Sequence, residues 1–303
     1  TTKAIPFNRD YPFDYAIAQT PLPWLRRVVA RNPSPFTFQG TGTFIVGTGK
    51  VAIIDPGPDI AEHIDAVLEA VSGETVTHLL VTHTHRDHSP ASAALKAATG
   101  APTYGYGPHG AGKLERGVQV EEGGDMDFVP DHLMRHGDVL EGDGFSFECV
   151  YTPGHTSNHM CFAYREQKAL FTGDHVMGWS TTIVSPPDGD MADYMASLEL
   201  LLTRDDQLYC PTHGPAISDP QAYVREYMAH RVQREEQIVA CLRDGVNAIA
   251  QMVPLMYRDL PRTMYPAAAR SVFATVIFLV QRKVLAHDGE LTIDVEFRLL
   301  KDL

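Results

Sequence analysis

Over the first two thirds of the chain, apolar residues fall in short clusters separated by Gly, Pro and Asp, a pattern of buried strands and tight loops. Positions 43–46 and 51–54 flank Gly47-Thr48-Gly49-Lys50 and predict a β-hairpin. Ile64, Val67 and Leu68 share one face of a helix predicted over 61–70, with Gly73 beyond its end. A short buried strand at 77–81 follows. Ser89 and Pro90 then suit the N-cap and first position of a helix over 90–98. The stretch 105–137 is polar, glycine-rich and weakly patterned, and reads as a surface excursion that could wall a substrate site. Further strands are predicted at 145–151, 159–164, 169–172 and 207–210, with a helix at 191–202. The first forty residues, rich in Pro and aromatics, suit an extended segment with an edge strand.

The texture changes after Asp219. Helices are predicted over 221–243, 248–257 and 267–285, then a strand over 291–297. The expected organisation is a body at 1–218, a connecting helix at 219–243 and a small unit at 244–303, with no internal repeat or low-complexity tract.

Four of the predicted strands end in loops that carry metal-ligand residue types. His83-Thr84-His85-Arg86-Asp87-His88 follows strand 77–81, Thr152-Pro153-Gly154-His155 follows 145–151, Gly173-Asp174 follows 169–172, and Pro211-Thr212-His213-Gly214 follows 207–210. Crowded imidazoles and carboxylates need a positive charge, and mixed N/O donors suit a borderline divalent ion. Five histidines and two aspartates suffice for a pair of ions. In the simplest arrangement His83, His85 and His155 hold one, Asp87, His88 and His213 hold the other, and Asp174 bridges them. Such a pair activates a shared water as hydroxide near neutral pH and polarises a scissile carbonyl or phosphoryl group. Asp87 is also the candidate catalytic residue, orienting that hydroxide and taking its proton.

Composition narrows the substrate. Residues 1–218 carry 14 Lys+Arg against 27 Asp+Glu, residues 219–303 carry 11 against 11, and the whole chain is net −13. That field opposes RNA and favours a small molecule. The most apolar stretch, 272–280, is far short of the about twenty residues that span a bilayer, so no membrane span is expected. The same stretch is a candidate homodimer or partner surface. Cys149, Cys161, Cys210 and Cys241 form no paired motif, and the first residues lack the apolar core of a signal peptide; a reducing, cytoplasmic setting is expected.

The ligand stretches, in this order, resemble the signature of the metallo-β-lactamase superfamily. Asn32-Pro33-Ser34-Pro35, Gln39-Gly40-Thr41-Gly42-Thr43 and Pro153-Gly154-His155-Thr156-Ser157-Asn158-His159-Met160 are most similar to its glyoxalase II and lactamase-beta-2-like branch. The resemblance implies an α/β fold, a four-layer αββα sandwich with the site at one edge, and a small winged-helix-like C-terminal unit. It implies a hydrolase holding two divalent ions, Zn2+ first with Mn2+ or Fe2+ as alternatives, and a small ester or thioester substrate. The alternatives are single-stranded RNA cleavage and β-lactam or lactone hydrolysis. Asp55 resembles the family's strand-end aspartate and is expected to orient a ligand histidine. His159 and His175 are expected to be supporting residues, and Arg231, Arg234 and Arg243 a solvated helix face. The chain departs from the family at Gly42, usually Asn, and at Trp179-Ser180-Thr181-Thr182, where Gly is commoner; both positions bear on substrate choice.

Overall fold

The computed structural model describes residues 5–111 and 123–301. One sheet contains, in spatial order, β1 (Gln19–Leu22), β2 (Leu25–Val29), β3 (Gly42–Thr48), β4 (Lys50–Ile54), β5 (Thr75–Leu80), β6 (Thr103–Gly105) and β7 (His132–Leu133). It is antiparallel as far as β4 and parallel beyond it, because α1 (Ala61–Ala70) and α2 (Ser92–Thr99) carry the chain across between strands. The second sheet is built from β8 (Val139–Glu141), β9 (Ser146–Tyr151), β10 (Met160–Tyr164), β11 (Ala169–Gly173) and β12 (Leu208–Pro211). Its order is β12-β11-β10-β9-β8, and α3 (Met191–Leu202) is the crossover that makes β12 parallel to β11.

Alternation along the strands assembles four layers. Phe44, Ile54 and Leu80 on the first sheet meet Phe147, Phe162 and Phe171 on the second. Their neighbours Ile45, Ile53 and Leu79 point the other way, onto Val67 of α1 and Leu95 of α2. On the outer face of the second sheet, Val150, Cys161 and Leu170 pack against α3 and α4 (Pro220–Arg243) through Tyr194, Leu198 and Tyr227. Each fully buried Leu, Ile or Phe contributes about 1.5–3 kcal/mol, so both faces of both sheets are stabilised. This is the expected αββα sandwich.

Beyond it, the far end of α4 packs with α5 (Ile249–Met256), α6 (Tyr265–Gln281) and a two-stranded hairpin, β13 (Leu285–His287) with β14 (Phe297–Leu299). Residues Arg262–Gln281 are long and apolar enough to cross a bilayer by length and composition alone. Val272, Val276 and Leu279 are buried in this C-terminal core and Ala274 in the layer under α3, and 33% of the apolar stretch is buried in this way.

Helices α1 and α3 match their predicted bounds. Several expectations need correction. Helix α2 starts at Ser92 with Ala91 as N-cap, not at Pro90, because the Ser89 hydroxyl is engaged by Asp125 Oδ2 at 2.6 Å. The predicted strand 291–297 is a loop that becomes strand only at Phe297. Its alternating Leu291, Ile293 and Val295 pack half-buried on the C-terminal core without a ladder partner. The third C-terminal helix stops at Gln281, where Lys283 adopts a left-handed φ of 57° and Leu285 begins β13. The predicted excursion 105–137 lies outside the described residues at 112–122. The remainder is less superficial than expected: Phe128 and Met134 are buried and β7 joins the sheet.

Candidate metal centre

The metal-ligand residue types converge at one edge of the sandwich because β4, β5, β9, β11 and β12 all end there. Asp55 closes β4 with a left-handed φ of 49°. Its Oδ1 accepts from Thr82 N at 2.8 Å, and its Oδ2 accepts from Thr82 Oγ1 at 2.9 Å and Thr212 Oγ1 at 2.7 Å. The same Oδ2 lies 2.9 Å from His88 Nδ1. One buried carboxylate thus ties together the loops after β5 and β12. After β5 the chain folds back at once, with His88 N donating to His85 O at 3.0 Å. Gly173 delivers Asp174: a Cβ there would stand 2.7 Å from both His159 Nε2 and Thr82 Oγ1, so only glycine fits.

Two groups of donors result. His83 Nε2 and His155 Nε2 lie 3.0 and 3.1 Å from His85 Nδ1. Asp87 Oδ2 lies 3.0 Å from His213 Nε2 and 3.3 Å from His88 Nε2. Asp174 stands between them, its Oδ2 3.7 Å from His155 and its Oδ1 3.4 and 3.6 Å from His213 and His88. In each of three sets, His83/His85/His155, His83/His88/Asp174 and Asp87/His88/His213, the candidate ligand atoms lie within 4.8 Å of one another. Among the described residues, His88 Nε2, His213 Nε2 and Asp174 Oδ1 are buried without a hydrogen-bond partner. Buried lone pairs left in this state are costly unless something cationic receives them, so the donor set fits divalent metal.

The outward nitrogens are held in place. His155 Nδ1 lies 2.7 Å from Ile183 O, His213 Nδ1 3.1 Å from Gly40 O and His83 Nδ1 3.1 Å from Thr82 Oγ1. Such contacts fix ring orientation and tautomer. Burial, reinforced by neighbouring imidazoles, holds His83 and His85 well below the ordinary histidine value, in the neutral form that ligation requires. On the other side burial opposes charge on His213, but Asp174 and Asp87 outweigh it and bring its pKa up to about 10. His88 is raised against burial by Asp87, Asp174 and Asp55, and both carboxylates are held low by these histidines. Metal ions and these protons compete for the same lone pairs.

All seven residues singled out from the sequence come together here. His159 supports from behind, 2.9 Å from Thr152 Oγ1 and accepting from Asp174 N at 3.2 Å; His175 is buried against the Tyr194 ring. The supporting roles of three residues were not drawn from the sequence. Thr41 Oγ1 donates to Asp87 Oδ2 at 3.3 Å, Asn158 Nδ2 donates to Thr84 Oγ1 at 2.8 Å, and His109 Nδ1 lies 2.9 Å from that same hydroxyl. Thr41 and Asn158 stand inside the motifs, and only their partners reveal what they do. Gly42 also gains a reason. A Cβ there would sit 3.2 Å from Thr212 O and 3.3 Å from Arg27 Cδ, so glycine leaves room for the buried Arg27 beside the His213 loop. Arg231 corrects the expected solvated face: it is 6% exposed, lies over the Tyr194 ring and donates to Thr182 O. The centre opens into a cavity of about 310 Å³ bounded by Phe36, Met177 and Ile183.

Comparison with known proteins agrees with this geometry. The sequence profile of the metallo-beta-lactamase superfamily matches residues 36–213. A beta-lactamase-like protein 2 homolog from Caenorhabditis elegans is 32% identical over 256 residues, covering 81% of this chain and 80% of that protein. An atrochrysone carboxyl ACP thioesterase from Aspergillus chevalieri is 32% identical over 266 residues, covering 87% of this chain and 80% of that protein. Among solved structures, a metallo-beta-lactamase family protein from Thermus thermophilus has a TM-score of 0.75 at 20% identity, covering 92% of this chain and 99% of its own. At that identity the likeness speaks to the fold alone. Motif order, sandwich and convergent donors agree with the profile match: the chain belongs to the metallo-β-lactamase superfamily and is a metal-dependent hydrolase.

Proposed function

We propose that the protein is a dinuclear hydrolase of small acyl thioesters. The observation that carries the two-ion reading is the overlap of three three-donor sets, His83/His85/His155, His83/His88/Asp174 and Asp87/His88/His213, with His88 Nε2, His213 Nε2 and Asp174 Oδ1 buried and unpartnered among the described residues. The thioester reading draws support from the relative named as an ACP thioesterase and from the apolar walls beside the centre. His83, His85 and His155 would hold one ion, Asp87, His88 and His213 the other, and Asp174 both. Zinc suits this histidine-rich set, with manganese or iron as alternatives. When bound, such ions supply an activated water and polarise the acyl oxygen.

The chain's own residues do the rest. Asp87, partly open to the cavity and steadied by Thr41 Oγ1, takes the proton of the attacking water and passes it toward the leaving thiolate. Asp55 keeps His88 and the His213 loop in register, and His159 holds the backbone of Asp174. We read residues 1–218 as the catalytic body, 219–243 as a connecting helix and 244–303 as a winged-helix-like unit. A cytoplasmic, homodimeric protein is the accompanying proposal.

The test is a panel of thioester, lactone, β-lactam and single-stranded RNA substrates, offered to protein of measured metal content beside a His83→Ala control. Thioester cleavage with about two ions per chain is expected. Cleavage of RNA or a β-lactam with no thioester turnover would overturn the substrate, and full activity with one ion would overturn the dinuclear site.

A further inference from the structure

A second, larger cavity adjoins the metal centre. It measures about 560 Å³ and lies between the body and the C-terminal helices, with Phe38 and Trp179 on one side and Tyr257 and Met264 on the other. Phe36, Met177 and Ile183 border both spaces. An extended molecule lying along them would have one end at the metal centre and the other among α4, α5 and α6.

The charge of this wall is anomalous. In a chain of net −13, its lining among the described residues includes Arg9, Arg231 and Arg234 and no Asp or Glu. Arg234 lies 4.2 Å over the Tyr257 ring and donates to Gln237 Oε1 at 2.8 Å and Met256 O at 3.0 Å. Those partners are neutral. Among the described residues, the Nε atoms of Arg231 and Arg234, and Nδ1 of His230 beside them, are buried without a hydrogen-bond partner. Glu235, next to Arg234 in sequence and one helical turn from Arg231, pairs with Arg282 at 2.6 Å and is not part of the cavity lining. Burial and the two arginines push His230 down to about 3, so it stays neutral beside them. Desolvated guanidinium groups without a carboxylate are unfavourable unless an anion joins them.

We infer that this cavity is a substrate-selecting pocket for thioesters whose apolar or aromatic chain ends in an anion, held by Arg234 and Arg231 while the thioester lies at the metal centre. This rests on the thioesterase reading above. The aromatic walls suit a flat or unbranched chain, and the planar guanidinium fork suits a carboxylate or phosphate. Two sources supply such an anion: a carboxylate at the far end of the acyl group, or the phosphate of a pantetheine carrier arm.

Three thioesters separate these sources: hexanoyl-N-acetylcysteamine, its adipoyl counterpart with a terminal carboxylate, and hexanoyl-CoA. The proposal expects a higher kcat/KM for adipoyl if the anion is on the acyl side, or for hexanoyl-CoA if it is on the carrier side. Arg234→Gln should lower that preference over hexanoyl-N-acetylcysteamine by about tenfold or more, and Arg234→Lys should lower it less. Equal kcat/KM on all three substrates, or an equal loss on all three in Arg234→Gln, would overturn the pocket. If no thioester is cleaved, the thioesterase reading fails and binding alone decides the pocket. The aromatic anion 8-anilinonaphthalene-1-sulfonate should bind wild type about tenfold more tightly than Arg234→Gln, relative to neutral N-phenyl-1-naphthylamine. An unchanged ratio of the two dyes would then count against the pocket.

Discussion

Asp55 Oδ2 stands 2.9 Å from His88 Nδ1, and neither side chain has any exposed surface. The same carboxylate accepts from Thr82 and Thr212, so it orders two of the ligand loops as well as one imidazole. Asp55→Asn keeps the shape but sets an NH2 against at least one of those donors. Metal affinity is expected to fall by about 10–100-fold, since partners behind metal-binding histidines act on this scale. Chelator competition measures it, and unchanged affinity would show that the His88 ring is oriented by packing alone.

Metal binding is expected to release protons. Without ions, the carboxylates of Asp87 and Asp174 favour the protonated form of His213 and His88 against burial, and His213 reaches a pKa of about 10. Ions must displace those protons, so affinity rises with pH up to about that value. Folding of the metal-free protein responds in the opposite sense. A raised histidine pKa contributes stability that is complete below the ordinary 6.5 and is lost as pH rises through about 10. Calorimetry in buffers of different ionisation enthalpy, and melting of metal-free protein between these pH values, test the two statements.

Asp174 lies between both donor sets, 3.4 Å from His213 Nε2 and 3.7 Å from His155 Nε2. Asp174→Ala is expected to reduce bound metal from about two ions to about one, since a shared carboxylate supports the pair. Metal analysis after gel filtration gives the stoichiometry. A variant that still holds the full complement would remove Asp174 from the bridging position.

Phe171 packs between the sheets with the rings of Phe44, Phe147 and Trp24 at 5.2, 6.0 and 6.5 Å. Phe171→Ala leaves a cavity there and is expected to cost about 3–5 kcal/mol, read from urea denaturation.

Arg27 is buried with the Tyr11 ring 4.7 Å from its guanidinium, and its Nε has no hydrogen-bond partner among the described residues. Burial lowers its pKa, with Tyr11 and Cys210 opposing. Arg27→Met keeps most of the volume and removes the charge, so stability should hold or rise by about 1 kcal/mol after loss of the ring contact. A clear drop in melting temperature would mean that Arg27 contributes more to the fold than these contacts provide.

Much of this protein could be read from local patterns. Helices α1 and α3 follow from apolar spacing, and the hairpin of β3 and β4 from a glycine turn between apolar runs, because those signals act within a few residues. The seven candidate metal-binding residues were legible because each stands beside a strand end in a motif. What spacing could not supply was partnership across the chain. Ser89 has the residue type of a helix cap but is taken by Asp125, Leu291 to Val295 alternate like a strand but find no ladder, and Arg231 carries the charge of a surface residue yet lies under Thr182. In each case the deciding contact is distant in sequence. The sequence alone therefore determined the chemistry at the end of each strand. Only the tertiary structure decided how Asp55 binds the loops together and how a cationic cavity comes to adjoin an acidic centre, because hydrogen bonding and desolvation depend on which distant groups packing brings into contact.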